Sequence, residues 1–139
     1  MFCYPVTVEE DAESQQVLVD FVDLPFVHSV GENLDDALLN ATEALETAFD
    51  ALMKDNQIIP AASFKTDCPS VSVPVLIAAK VALHNAMLSN GIRKTDLARK
   101  LNIAPNVVER LLSLRHKSRI EQLETALALF DKRLLVDVQ

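Results

Sequence analysis

Charge is divided along this chain too unevenly for one uniform surface. Residues 1–74 hold Lys54 and Lys65 against fourteen acids, a net of −12, whereas residues 75–139 hold eleven basic residues against six acids, a net of +5. With 139 residues, half of them apolar, the chain can build one ordinary domain or two small ones. A change of sign between halves favours two modules that face different partners. The expected division is 1–70 and 71–139, with the seam in the proline-punctuated stretch from Ser70 to Pro74. The opening MFCYPVTVEEDAE carries no basic leader followed by a long apolar run, and no later segment has the unbroken apolar length of a membrane span. A soluble, cytoplasmic protein with no membrane partner is therefore expected. Cys3 and Cys68 stand far apart without a second metal-ligand type beside either, so both read as small buried thiols and no metal site is expected.

The elements expected along the two halves also differ. CYPVTVEE and QQVLVDFVDLP carry the β-branched and aromatic residues of strands, joined by a polar EEDAESQQ connection, and FVHSV offers a third strand. Beyond Gly31, Asn33 is a plausible N-cap with Asp36 three residues on. Leu34, Leu38, Ala41, Leu45, Ala48, Phe49 and Leu52 then recur at steps of three and four, which predicts a helix to about Lys54. A loop follows, and VSVPV supplies one more short strand. From Pro74, placed at a first helical position, the chain reads as helical: Val75 to Asn90 closed at Gly91, Lys94 to Leu101, Pro105 to Leu114, and Ser118 to Phe130 with Ser118 as N-cap. RLLVDV at Arg133 to Val138 reads as a terminal strand. The fold class expected is α+β: three to four strands with one long helix, then an all-α unit with a short C-terminal strand.

The most informative stretch is KTDLARKLNIAPNVVERLL. Leu97, Leu101, Ile103, Val108 and Leu111 form an apolar set, Ala98 falls where two helices would cross, and Asn102 stands at a turn that wants a left-handed residue. This is the pattern of a helix-turn-helix, whose second helix fits a DNA major groove. Any small helical bundle can show such spacings, and charge is what separates the two readings. Arg93, Lys94, Arg99, Lys100, Arg110, Arg115, Lys117 and Arg119 crowd one segment against Asp96 and Glu109. Gathered cations are what counterion release from DNA requires. Pro105, Asn106, Glu109, Arg110 and Ser113 are expected at the groove, with Asn106 suited to an adenine edge, Arg110 to guanine or phosphate, and Glu109 to a cytosine amino group. Arg93, Lys94, Arg115 and Lys117 are expected on phosphates.

The acidic half shows no Ser/His/Asp or Cys/His constellation and no glycine-rich phosphate loop, and His28, His84 and His116 read as structural or surface residues. No catalysis and no cofactor are expected. The order of YPV (Tyr4 to Val6), FVDLP (Phe21 to Pro25), SVGENLDDALLNATEALETAF (Ser29 to Phe49), VSVPV and KTDLARKLNIAPNVVERLL resembles the HicB-type antitoxins of bacterial toxin–antitoxin pairs over nearly the full length. That resemblance implies a partial ribonuclease-H-like N-terminal domain that blocks a small RNA-cleaving toxin of the HicA type. It also implies a C-terminal domain that binds the operon's own promoter, here of the helix-turn-helix rather than the ribbon-helix-helix subtype. A working ribonuclease H carries a metal-binding aspartate on its first strand, and CYPVTV has none. Many members place Gly after the Asp-x-Pro, where this chain has Phe26.

An acidic domain can compete with RNA for a toxin's basic surface by offering carboxylates where phosphates would sit. A stand-alone transcription regulator with a small-molecule-sensing N-terminal domain is the alternative, and a ribonuclease-H-type enzyme the third reading. Because one helix-turn-helix covers too little DNA for tight binding, a homodimer or higher oligomer is expected. Leu127, Phe130, Leu134, Val136 and Val138 are the proposed dimer contact.

Overall fold

The structure, a computed structural model, describes residues 2–65 and 67–138. Its architecture is α+β. Strands β1 (Cys3–Glu10), β2 (Val17–Phe21) and β3 (His28–Gly31) precede the long helix α1 (Leu34–Lys54). Strand β4 (Ser70–Ser72) follows, then helices α2 (Val75–Ser89), α3 (Lys94–Leu101), α4 (Pro105–Leu112) and α5 (Ile120–Ala128). The four strands form one antiparallel sheet in the order β3-β2-β1-β4, with Val8 opposite Val19, Leu18 opposite Val30 and Tyr4 opposite Val71.

The chain divides into two compact units, Met1–Ala51 with Pro60–Val73, and Leu52–Ile59 with Pro74–Gln139. A boundary at residue 70 falls on the first residue of β4, whose pairing with β1 carries the sheet to Ser72.

In the first unit, strand alternation sends Tyr4, Val6, Val19 and Phe21 into the core, and α1 contributes Ala37, Ala41, Leu45 and Phe49 at four-residue steps. The rings of Tyr4 and Phe49 meet tilted, with centroids 5.6 Å apart. The Tyr4 hydroxyl donates to the Pro60 carbonyl at 2.7 Å, and burial together with the Asp23 charge pushes the phenol up to about 12. The β1–β2 connection closes through Asp11, which accepts from the Ser14 hydroxyl at 2.6 Å; this hydrogen bond, the first of its causes, holds the carboxyl below its ordinary value. Asn33 caps α1 as expected, its Oδ1 accepting from the Asp36 amide at 2.8 Å, while Asp36 accepts from Glu32 at 3.0 Å. Gly31 is required where β3 turns into α1, since a Cβ there would lie 2.3 Å from the Ala37 nitrogen.

The second unit is organised around α2, which is buried on nearly every side rather than along one stripe. Ala79, Leu83 and Met87 pack with Leu97, Ala98, Val108, Leu111, Leu123, Ala126 and Leu127 in one core.

Four sequence expectations are corrected. Residues 132–138 form no strand, because a strand exists only with a ladder partner and the chain's own sheet ends at β3 and β4. Ser118 does not cap α5, which starts at Ile120 after Arg119; its hydroxyl is held instead by the Lys80 ammonium and the Arg110 carbonyl. Pro74 precedes α2 in an extended conformation, φ −54° and ψ 143°, and the helix begins at Val75. Cys3 is exposed, 3.5 Å from the Ser72 hydroxyl, and Cys68 is half-buried.

Candidate nucleic-acid interface

Helices α3 and α4 are short and start without side-chain capping by their first residues. Arginine has no acceptor, so Arg93 cannot cap α3. Asp96, one turn in, does half of that work by accepting from the Arg93 amide at 3.0 Å, and its carboxylate complements the positive end of the helix. The helix ends on Asn102 at φ 54° and ψ 48°. The Asn102 amide donates to the Arg99 carbonyl at 3.2 Å and the Ile103 amide to that of Ala98 at 3.0 Å. That pair of reversed bonds is a Schellman closure. Ala98, buried beneath it, lets the two helices approach, and Leu97, Val108 and Leu111 are wholly enclosed. Pro105 opens α4 at its first turn, where a missing N–H is harmless.

With Val108 and Leu111 turned inward, the other face of α4 is left to solvent. Pro105, Asn106, Glu109, Arg110 and Ser113 are all exposed, as are Arg93, Lys94, Arg115 and Lys117. Arg99, Lys100 and Arg119 are exposed as well, so all eight cations of the segment stand in water. The Lys94 ammonium lies 3.1 Å from both carboxylate oxygens of Glu109, tying the start of α3 to the outer face of α4. An exposed pair of this kind contributes under about 1 kcal/mol, so Glu109 exchanges it readily for another donor.

The five residues expected at a dimer contact do not share one environment. Leu127 is 1% exposed within its own unit's core, and Phe130 and Leu134 pack against that core as half-buried neighbours. Val136 and Val138 are 63% and 87% exposed, and Leu135 between them 80%. Capping the core of the same unit therefore occupies the first three residues, and the free apolar surface lies in the tail.

Sequence reading missed Lys80. It sits on α2, 0% exposed, and its Nζ donates to the carbonyls of Arg110 at 2.9 Å, Ser113 at 2.6 Å and His116 at 2.8 Å, and to the Ser118 hydroxyl at 2.9 Å. Burial lowers the ammonium from 10.5 to about 8. The available signal was one lysine in the otherwise uncharged run VLIAAKVALHNAML. His84 and Asn85, on the same helix, were not singled out as anchors either. His84 Nε2 lies 2.8 Å from the Gln57 carbonyl, and the Asn85 amide pairs with both backbone groups of Ile59 at 2.9 and 3.0 Å. His28 is an exposed partner of Asp20 at 2.6 Å. Among the described residues no single helix is long and apolar enough to cross a membrane, and no three His, Cys, Asp or Glu side chains are grouped to hold a metal ion.

Residues 3–82 match a family described as the HicB-like antitoxin of bacterial toxin–antitoxin systems. The match covers the whole sheet, α1 and the first half of α2. Among individual proteins, the chain is 36% identical over 141 residues to Antitoxin HicB of Pseudomonas fluorescens (strain Pf0-1), covering 100% of this chain and 95% of the relative. It is 38% identical to Antitoxin HicB 2 of Photorhabdus laumondii over 94% of the chain and 92% of the relative. To Antitoxin HicB of Escherichia coli (strain K12) it is 35% identical, over 94% and 95%. The chain belongs to the HicB-like antitoxin family.

Proposed function

We propose that this protein neutralises a HicA-type, RNA-cleaving toxin through its acidic N-terminal unit and represses its own operon through a helix-turn-helix formed by α3 and α4. The antitoxin half rests on family membership over the sheet and α1, a unit read as a partial ribonuclease-H-like fold without nuclease activity. Thirteen acids against Lys65 in residues 1–51 and 60–73 give that unit the charge to compete with RNA for a basic toxin surface.

The observation that carries the DNA-binding half is the joint exposure of eight cations around a two-helix unit whose second helix presents Asn106, Glu109 and Arg110 outward. Base readout falls to these three, with Pro105 beside them at the start of α4 and Ser113 just beyond its end, and phosphate contact to Arg93, Lys94, Arg115 and Lys117. Two such units are needed for a palindromic site, about 34 Å apart. The exposed tail with Leu135, Val136 and Val138 supplies an apolar segment for pairing with a second copy. The protein would act in the cytoplasm, beside its operon and the toxin's RNA substrates.

Co-expression with the toxin reading frame beside its gene tests both halves. RNA cleavage by the toxin should be lost at stoichiometric antitoxin, and DNA upstream of the operon should be shifted in a salt-sensitive manner. Arg110→Ala and Asn106→Ala should weaken upstream-DNA binding by about 1–3 kcal/mol each while leaving random DNA almost unaffected. A toxin still active beside excess folded antitoxin would remove the first half of the proposal. Equal affinity for upstream and random DNA would remove the second.

A further inference from the structure

Lys80 presents an arrangement that core packing alone does not require. An ammonium has three N–H donors, and four oxygens converge on this one from Arg110, Ser113, His116 and Ser118. The Arg110 carbonyl belongs to the last turn of α4, where carbonyls lack helical partners and carry the negative end of the helix dipole, and the Ser113 carbonyl lies just beyond it. The other two oxygens belong to the turn between α4 and α5. The Ser118 hydroxyl is fully used: it donates to the Arg110 carbonyl at 3.2 Å, accepts from Lys80, and lies 3.1 Å from His116 Nδ1. A lysine fixed on the buried helix α2 thus holds the end of α4 and the turn 113–118 from inside, and that turn displays Arg115 and Lys117.

We propose that Lys80 is a positioning residue for the DNA interface: by gathering the Arg110, Ser113 and His116 carbonyls it fixes the α4–α5 turn so that Arg115 and Lys117 meet phosphates together with α4. A methionine would fill the same space without binding any of these carbonyls. The turn would then loosen while α3, α4 and their packing through Leu97, Ala98, Val108 and Leu111 persist. The inference rests on the DNA-binding reading above.

The test is the salt dependence of operator binding by full-length Lys80→Met, with folding verified by circular dichroism at the assay temperature. For each phosphate that the protein no longer neutralises, the slope of log K against log salt falls by about 0.9. Loss of Arg115 and Lys117 as a pair therefore predicts a slope smaller by about two, with a parallel loss of affinity for random DNA. A merely destabilised chain would show fewer binding-competent molecules and an unchanged slope, which would overturn the proposal. The double variant Arg115→Ala/Lys117→Ala should show the same reduced slope, and adding Lys80→Met to it should reduce the slope no further; a further reduction also overturns the proposal. Should Lys80→Met fail to fold, Lys80→Gln keeps two of the three N–H donors, so its slope should fall between those of wild type and Arg115→Ala/Lys117→Ala, and a wild-type slope overturns the proposal. A wild-type chain that binds neither upstream nor random DNA would instead sink the DNA-binding reading itself, an outcome distinct from an unchanged slope.

Discussion

Asn102 and Lys80 mark the two extremes of what single residues reveal. Asn102 holds φ 54° at the end of α3, a conformation that costs an ordinary L-residue roughly 1–2 kcal/mol and asparagine less. Asn102→Ala should lower the unfolding free energy by about 1 kcal/mol, whereas Asn102→Gly should be neutral or slightly stabilising; urea titration of both variants checks the order. An alanine variant as stable as wild type would mean that the turn relaxes out of the left-handed region. This residue was legible because its requirement is local, set by the spacing of two short helices. Lys80 was not, because its partners lie 30 to 38 residues away. Its depressed ammonium has a thermodynamic signature. Folded Lys80 titrates at about 8 and the unfolded side chain at 10.5, so below about pH 8 the group is charged in both states and its contribution to stability is constant. Between those values the unfolded chain holds the extra proton, and stability rises with pH. The advantage of wild type over Lys80→Gln in denaturant midpoint should therefore grow from about pH 8 to about pH 10. A flat difference would show that the surrounding carbonyls offset the burial.

Element ends explain where the sequence spoke and where it was silent. Helices α1, α2, α3 and α5 all close by reversed amide bonds, with Asn56, Gly91, Asn102 and Asp131 in the left-handed region. With two glycines in the whole chain, three of the four closures fall to Asn or Asp. Strands β1 to β3 were legible through their β-branched and aromatic residues, and helix α1 through apolar residues at steps of three and four on its buried face. The tail has no such constraint within one chain: its β-branched alternation gives a propensity, and a ladder partner decides the outcome. Removing residues 135–139 leaves Leu134 against the core and takes away the exposed apolar tail. If the tail pairs with a second copy, the shortened chain should elute as a smaller species and lose tight operator binding while retaining toxin neutralisation. A truncated chain that light scattering shows still dimeric at micromolar concentration would move the dimer contact elsewhere, most simply to the sheet.

At the scale of the whole molecule, the reversal of charge near residue 74 runs parallel to the division into units, except for Leu52–Ile59, which packs with the second. That exception was invisible in charge or periodicity, since it depends on His84 and Asn85 capturing the backbone of Gln57 and Ile59. Two halves of opposite charge suit the two partners proposed for them, a basic RNA-cleaving toxin and a polyanionic duplex. The most direct measurement of that division uses the full chain carrying Asn106→Ala, Arg110→Ala, Arg115→Ala and Lys117→Ala, all at exposed positions outside the cores. Titrated against the toxin in an RNA-cleavage assay and against upstream DNA in a mobility shift, this protein should inhibit cleavage at the same stoichiometry as wild type while failing to shift the DNA. Loss of inhibition by the folded variant, or an operator shift at wild-type concentration, would contradict the assignment of one activity to each unit.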